Sequence, residues 1–163
     1  MKKILILSDT HSYLDDSIRK YAASHDEVWH AGDWGDCKVY DELSSLSHVR
    51  GVYGNIDGQD IRAENPQLQC FTIEACKVLM THIGGYPKRY KPEFKQHIVS
   101  KKPHLVITGH SHILKVVYDH KLEHLHINPG AAGIYGFHQV RTMVSIEING
   151  SKIENAKIIE LKK

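Results

Sequence analysis

Metal-binding residue types recur at five places in the sequence, each directly after a short apolar run. The runs end in Ser8-Asp9-Thr10-His11, His30-Ala31-Gly32-Asp33, Tyr53-Gly54-Asn55-Ile56-Asp57, Thr81-His82 and Gly109-His110-Ser111-His112. Aspartate supplies a charged oxygen that can bridge two cations. Histidine supplies a neutral imidazole nitrogen, and asparagine a carbonyl oxygen without added charge. Mixed histidine and carboxylate ligation suits Mn, Fe, Zn, Co or Ni better than Ca. Two such ions roughly 3.5–4 Å apart can clamp a phosphate oxygen and activate a water between them. The glycines at 32, 54 and 109 leave room where the backbone must turn beside the ions.

The members of this set differ in weight. With 13 histidines in 163 residues, about one His-x-His pair is expected by chance. The chain holds two, His110/His112 and His124/His126. The second lies in a strand-like stretch and reads as an exposed or packed strand face. A lone Gly-Asp is usually a turn, and a lone His82 more often a satisfied structural histidine than a ligand. The ordered set is far more specific than any one of its parts.

For the five segments to meet, the runs before them must be neighbouring strands. Residues 3–8 form a continuous apolar run, the pattern of a strand buried on both faces. Residues 13–24 carry Leu14, Ile18, Tyr21 and Ala22 at helical spacing. A strand is expected at 27–31, a helix at 38–47 with Val39, Leu43 and Leu46 on one face, and a strand at 49–53. This β-α-β-α-β series predicts a parallel sheet. Further on, 69–74 and 77–82 read as a strand pair and 92–101 as a helix. Strands follow at 104–108, 113–119, 123–127, 140–148 and 152–159, the last two separated by the turn residues Asn149-Gly150. Alternating strands and helices followed mostly by strands predict an α/β chain with two packed mixed β-sheets and helices outside. Ligands bind outside the carboxyl ends of strands in such sheets, so five strand ends at one edge converge on one site.

Composition narrows the class. The length fits one domain, 1–163, with a single core. An apolar fraction of 41% suits a globular fold, and no apolar stretch reaches bilayer length. The opening run Met1–Leu7 stops at Ser8-Asp9, too early for a signal peptide, so a cytoplasmic location is expected. Cys37, Cys70 and Cys76 are odd in number and lack C-x-x-C spacing, which reads as three reduced cysteines rather than disulfides or a thiolate zinc site. A net charge of +2 with mixed signs and no basic tract argues against nucleic-acid binding by charge.

The order Asp9-x-His11, Gly32-Asp33, Gly54-Asn55, His82 and Gly109-His110-x-His112 resembles that of the calcineurin-like metallophosphoesterases, and among them the short bacterial and archaeal phosphodiesterases. The resemblance runs from residue 4 to about 133, ending near Asn128-Pro129-Gly130. It implies a two-sheet sandwich flanked by helices and two divalent cations, manganese foremost, with Zn, Fe, Ni, Co or Mg as alternatives. It further implies that Asp9, His11 and His112 hold the first ion, that Asn55, His82 and His110 hold the second, and that Asp33 bridges both. The reaction implied is in-line attack on phosphorus of a small phosphodiester by a metal-bound water held by Asp33, with Asn55 and His82 near the phosphoryl oxygens. In an extended backbone residues i and i+2 point the same way, which predicts that His110 and His112 reach two neighbouring ions from one loop.

One position departs from the common family pattern. Many members carry Gly-Asn-His, whose histidine helps the leaving group depart; here the residue is Ile56, a loss the short phosphodiesterases share. Aryl phosphodiesters are therefore expected to turn over better than esters with poor leaving groups. Another histidine, such as His138, is open as a substitute. Asp57 is a candidate to orient a ligand, or a turn carboxylate; Asp36 is open to the same role or to capping the helix after it. Lys88 and Arg89, after Gly84-Gly85, are candidates for substrate contact, or solvated loop charges. Trp29 and Trp34 read as core or rim residues.

Three other functions stay open. One is a phosphomonoesterase acting on a nucleotide-like substrate. The second is a protein-interaction scaffold like the retromer subunit of this fold, although that subunit departs from the ligand set and all seven positions are filled here. The third is a nuclease, against which the near-neutral charge counts. Self-association is open as well.

Overall fold

The computed structural model describes residues Met1–Lys163 as two five-stranded sheets packed face to face between outer helices. In β1 (Lys2–Leu7), Ile4 to Leu7 are fully buried because both faces are covered. Side chains alternate along a strand, so Ile4 and Ile6 enter the core between the sheets while Leu5 and Leu7 lie under the helices. Full burial of each such side chain contributes about 1.5–3 kcal/mol. On that outer side α1 (Asp16–Ala23) contributes Ile18 and Ala22, α2 (Cys37–Leu46) contributes Val39 and Leu43, and α3 (Gln59–Glu64) contributes Ile61.

Besides β1, the first sheet contains β2 (Glu27–His30), β3 (His48–Gly51), β9 (Val140–Asn149) and β10 (Lys152–Lys162), in the order β10-β9-β1-β2-β3. Strands β1, β2 and β3 run parallel; β9 and β10 are antiparallel additions. The second sheet holds β4 (Leu68–Ile73), β5 (Cys76–Thr81), β6 (Leu105–Ile107), β7 (Leu114–Asp119) and β8 (His124–Pro129), in the order β4-β5-β6-β8-β7. Here β5, β6 and β8 are the parallel set. Helix α4 (Pro92–Lys101) lays Phe94 and Ile98 on Leu79 and Val106 at the outer face. No helix is long and apolar enough to cross a membrane.

This is the α/β architecture of two mixed sheets expected from the sequence. What positions the site is how the strand ends are tied together. Ala132 N–H donates to the Ser8 carbonyl at 2.9 Å and Gly133 N–H to that of Asp9 at 3.1 Å, joining the exit of β8 to the exit of β1 across the two sheets. Asp9 N–H donates to Gly32, and Gly109 N–H to His82, doing the same within each sheet.

Local expectations shift in three places. The first helix starts at Asp16, not at 13, because the Asp15 side chain caps it by accepting the Ile18 N–H at 3.0 Å; residues before it belong to the site loop. Helix α3 has no counterpart in the sequence reading, and its Gly58 N-cap makes no side-chain cap bond that would mark a start. His110 and His112 are not in extended backbone: their φ angles are 76° and 64°, so alternation along a strand is not what aims their rings. His124 and His126, the other His-x-His pair, are buried on β8 with the Tyr90 hydroxyl 2.8 Å from each ring.

Candidate metal centre

Asp9 and Asp33 each have one carboxylate oxygen tied outward and one left facing the centre. Asp9 Oδ2 accepts the Ser8 hydroxyl at 2.6 Å and the His110 N–H at 3.1 Å. Its Oδ1 lies 3.2 Å from His112 Nε2, 3.8 Å from His11 Nε2 and 3.9 Å from His82 Nε2. Asp33 Oδ1 accepts the Ile56 N–H at 3.1 Å, and its Oδ2 lies 3.5 Å from His11 Nε2 and 3.2 Å from His82 Nε2. His82 follows the same logic: Nδ1–H donates to the Ala31 carbonyl at 2.7 Å, which leaves the Nε2 lone pair turned inward.

Two groups result. The ligand atoms of Asp9, His11 and His112 lie within 4.8 Å of one another, and so do those of Asp33, His82 and His110. Asn55 is exposed in the turn after β3, flanked by the Gly54 N–H on Asp57 and the Ile56 N–H on Asp33. Five of these residues, Asp9, His11, Asp33, His110 and His112, have φ between 46° and 76°. Side chains other than glycine rarely adopt that region, which costs each roughly 1–2 kcal/mol; the surrounding bonds must hold them there. A Cβ at Gly54 would collide with Asp33 Oδ1, and one at Gly109 with the Ser8 hydroxyl.

Electrostatics follow from burial against charge. Burial works to raise the Asp9 carboxyl, but His11, His112, the charge of His82 and the Ser8 hydroxyl outweigh it and hold the group well below the usual carboxylate range. Asp33 is likewise held low, by His11 and His82 acting against burial. The carboxylates of Asp33 and Asp9 in turn push the His11 imidazole up to about 9. For His82, burial opposes protonation, yet Asp33 and Asp9 raise it. Burial lowers His110, with the charge of His82 adding to it.

Residues 1–151 match the family model of the calcineurin-like phosphoesterase superfamily domain. The chain belongs to this superfamily. A probable metallophosphoesterase of Methanothermobacter thermautotrophicus is 27% identical over 161 residues, which is 94% of this chain and 90% of the relative. One from Mycoplasma pneumoniae is 30% identical over 118 residues, 69% of each chain. Among solved structures, an archaeal phosphodiesterase is 26% identical with a TM-score of 0.72, covering 98% of this chain and 99% of its own. Vps29 of Entamoeba histolytica, solved with Zn²⁺, shares the fold at 18% identity, a TM-score of 0.74 and 98% coverage of both chains.

Metallophosphoesterases use divalent metal, and the residues here fit one. Asp9 Oδ1, His11 Nε2 and His82 Nε2 are buried without any hydrogen-bond partner. An orphaned buried polar atom costs about 1–3 kcal/mol, and three facing one centre are what a cation satisfies at once.

Supporting groups surround the candidate ligands; of these the sequence marked Asp57 and the Asn128-Pro129-Gly130 segment, whereas nothing in it pointed to His30 or Tyr135. His30 Nδ1 accepts the Gly32 N–H at 3.1 Å, so Nε2 carries the proton and donates to Thr10 Oγ1 at 3.0 Å. Its ring is stacked on Trp34 at 3.8 Å, and the ring ties the loop after β1 to the loop after β2. Asp57 is buried and accepts three backbone N–H groups, of Asp33 at 3.0 Å, Gly35 at 2.9 Å and Gly54 at 2.7 Å. Tyr135 stacks on His11 with ring centroids 4.8 Å apart. Asn128, from the Asn-Pro-Gly segment, donates to the Gly109 carbonyl at 3.1 Å and so braces the loop of His110 and His112.

The remaining candidates differ in where they lie. Asp36 is exposed and caps α2 by accepting the Lys38 N–H at 3.0 Å; of its two readings the structure carries the helix cap. Lys88 and Arg89 are exposed and make no bond to the seven metal-binding candidates; Lys88 lines a different cavity, because the loop after β5 carries it away. His138 lies beside His112, rings 5.3 Å apart, with Nε2–H donating to the Gly133 carbonyl at 2.7 Å. A cavity of about 710 Å³ opens next to the centre, lined by His110, His112, Ile113, Tyr135, Phe137 and His138 among others.

Proposed function

We propose that this protein is a dinuclear metal-dependent phosphodiesterase acting on a small phosphodiester. The observation that carries the reading is the Asp33 carboxylate, whose Oδ2 is 3.5 Å from His11 Nε2 in one ligand group and 3.2 Å from His82 Nε2 in the other. A carboxylate in that position would serve both ligand groups. Asp9, His11 and His112 would hold one, and His82, His110 and Asn55 the other. Divalent cations, manganese first and Zn, Fe, Ni, Co or Mg as alternatives, would supply Lewis-acid neutralisation of phosphoryl charge and a lowered pKa for the attacking water. The residues do the rest: the Ile56 N–H and the three N–H groups on Asp57 hold Asp33 in register, and the Ala31 carbonyl keeps His82 in the tautomer that binds.

The preference for a diester with an apolar ester group is supported by the rim. Ile56, Ile83 and Ile113 each follow a candidate ligand directly in sequence and are 47%, 42% and 62% exposed, and Tyr135, 67% exposed, lines the cavity with Ile113. An isoleucine at 56 offers no proton to a leaving group, so good leaving groups such as aryl oxides are favoured. The 26% identical archaeal phosphodiesterase also supports the diester reading.

The same exposed apolar rim, with the likeness in fold to Vps29, favours a second reading, a protein-docking scaffold. Hydrolysis decides between them. Metal-stripped protein is given Mn²⁺, Zn²⁺, Ni²⁺ or Mg²⁺ singly, with an aryl phosphodiester and an aryl phosphomonoester as substrates. Metal-dependent diester cleavage that vanishes in Asp33→Ala is expected. Preferred cleavage of the monoester would make the protein a phosphomonoesterase. No metal-dependent cleavage of either would leave the scaffold.

A further inference from the structure

A second cavity, of about 680 Å³, lies between the loop after β5, α4, β7 and the turn that follows it, and shares no lining residue with the metal centre. Lys88, Lys95, Lys115 and Lys121 all line it. None of their ammonium groups makes an ion pair or donates a hydrogen bond within the protein. The one carboxylate in the lining, Asp119, is buried, and its Oδ1 accepts the N–H groups of Lys121 and Leu122, both at 3.0 Å. Lys115 Nζ also lies 5.5 Å from the Tyr86 ring centroid. In a chain whose net charge is only +2, four lysines against one carboxylate around one cavity are a local excess of positive charge. Their mutual repulsion is relieved when an anion enters.

The remaining lining is apolar and aromatic, with Val117, Leu122, Tyr90 and Tyr118. Tyr90 is held rigidly: its hydroxyl lies 2.8 Å from both His124 Nε2 and His126 Nδ1, donating to one and accepting from the other. Tyrosines and four lysines lining one cavity match a ligand with a planar apolar part and several negative charges. We propose that this cavity binds a nucleotide, with the lysines on its phosphates and its base against the tyrosines.

Calorimetry tests this on metal-stripped protein kept in chelator, with ATP, inorganic tripolyphosphate and adenosine titrated separately. ATP is expected to bind, adenosine not at all, and tripolyphosphate about tenfold more weakly than ATP. Lys95→Glu/Lys121→Glu should weaken ATP about tenfold or more while metal-dependent hydrolysis of an aryl phosphodiester persists. Asp33→Ala should bind ATP as the parent does, which separates this site from the metal centre. No ATP binding at millimolar concentration overturns the proposal. So does binding lost in Asp33→Ala but kept in the lysine variant, and tripolyphosphate binding as tightly as ATP overturns the assignment to a nucleotide.

Discussion

Asp57 holds Asp33 by its backbone: Oδ2 of Asp57 accepts the Asp33 N–H at 3.0 Å, and the same carboxylate takes the N–H groups of Gly35 and Gly54. One buried side chain thus joins the loops after β2 and β3 on either side of the Asp33 carboxylate. Removing it leaves three amides unpaired and Asp33 free to rotate.

Asp57→Ala is therefore expected to lower metal affinity about 10–100-fold, measured by metal titration. Asp36→Ala removes only a helix cap and should cost about 1 kcal/mol of stability in denaturant melts, with metal affinity unchanged. Equal metal affinity in the two variants would refute the role of Asp57.

Metal uptake should depend on pH through His11. Asp33 and Asp9 push its imidazole up to about 9, so at neutral pH it carries a proton that an ion must displace. The sign is that affinity rises as pH rises from 6 towards 9. Calorimetry in two buffers of different ionisation enthalpy should show proton release on binding, greater at pH 7 than at pH 9.5. Uptake with the same proton count at both pH values would contradict this.

Stability should fall in acid through His30. Burial pushes this imidazole down to about 3 from its ordinary 6.5, and His126 is pushed down to about 3 for the same reason. Between pH 6.5 and 3 the unfolded chain binds protons that the folded one refuses. Each ring's contribution is full above 6.5 and is lost as pH falls, at about 1.4 kcal/mol per unit. Urea melts at pH 7 and pH 5 should register that loss, and His30→Asn should flatten the slope. An unchanged slope in the variant would place the acid lability elsewhere.

Ile56→His should restore a proton donor at the mouth of the centre. The Ile56 amide is anchored on Asp33 at 3.1 Å while its side chain is free, so the substitution need not disturb the ligands. Turnover of an alkyl phosphodiester is expected to rise relative to an aryl one. An unaltered ratio would show that position 56 does not govern the leaving group.

Strands were legible because each is an apolar run stopped by a polar turn. Residues 3–8 became Lys2–Leu7 and 77–82 became Cys76–Thr81. The short helix Gln59–Glu64 was not, since six residues after an uncapped glycine carry neither a full apolar stripe nor a start signal. The metal-binding residue types were legible too, because their order at the strand ends is a property of the chain itself.

Which atoms meet was not. That His82 offers Nε2 depends on the Ala31 carbonyl, and that His30 is neutral depends on Gly32, Thr10 and Trp34 closing around it. The aim of His110 and His112 comes from left-handed backbone at both, where the His-x-His spacing predicts an extended segment. Hydrophobic spacing is local information, and it determined the strands and the residues that end them. Distances of 3–4 Å between segments far apart in sequence depend on sheet register and on how two sheets close on each other. Only the folded chain decided those, and with them the tautomers, the charges and the geometry of the centre.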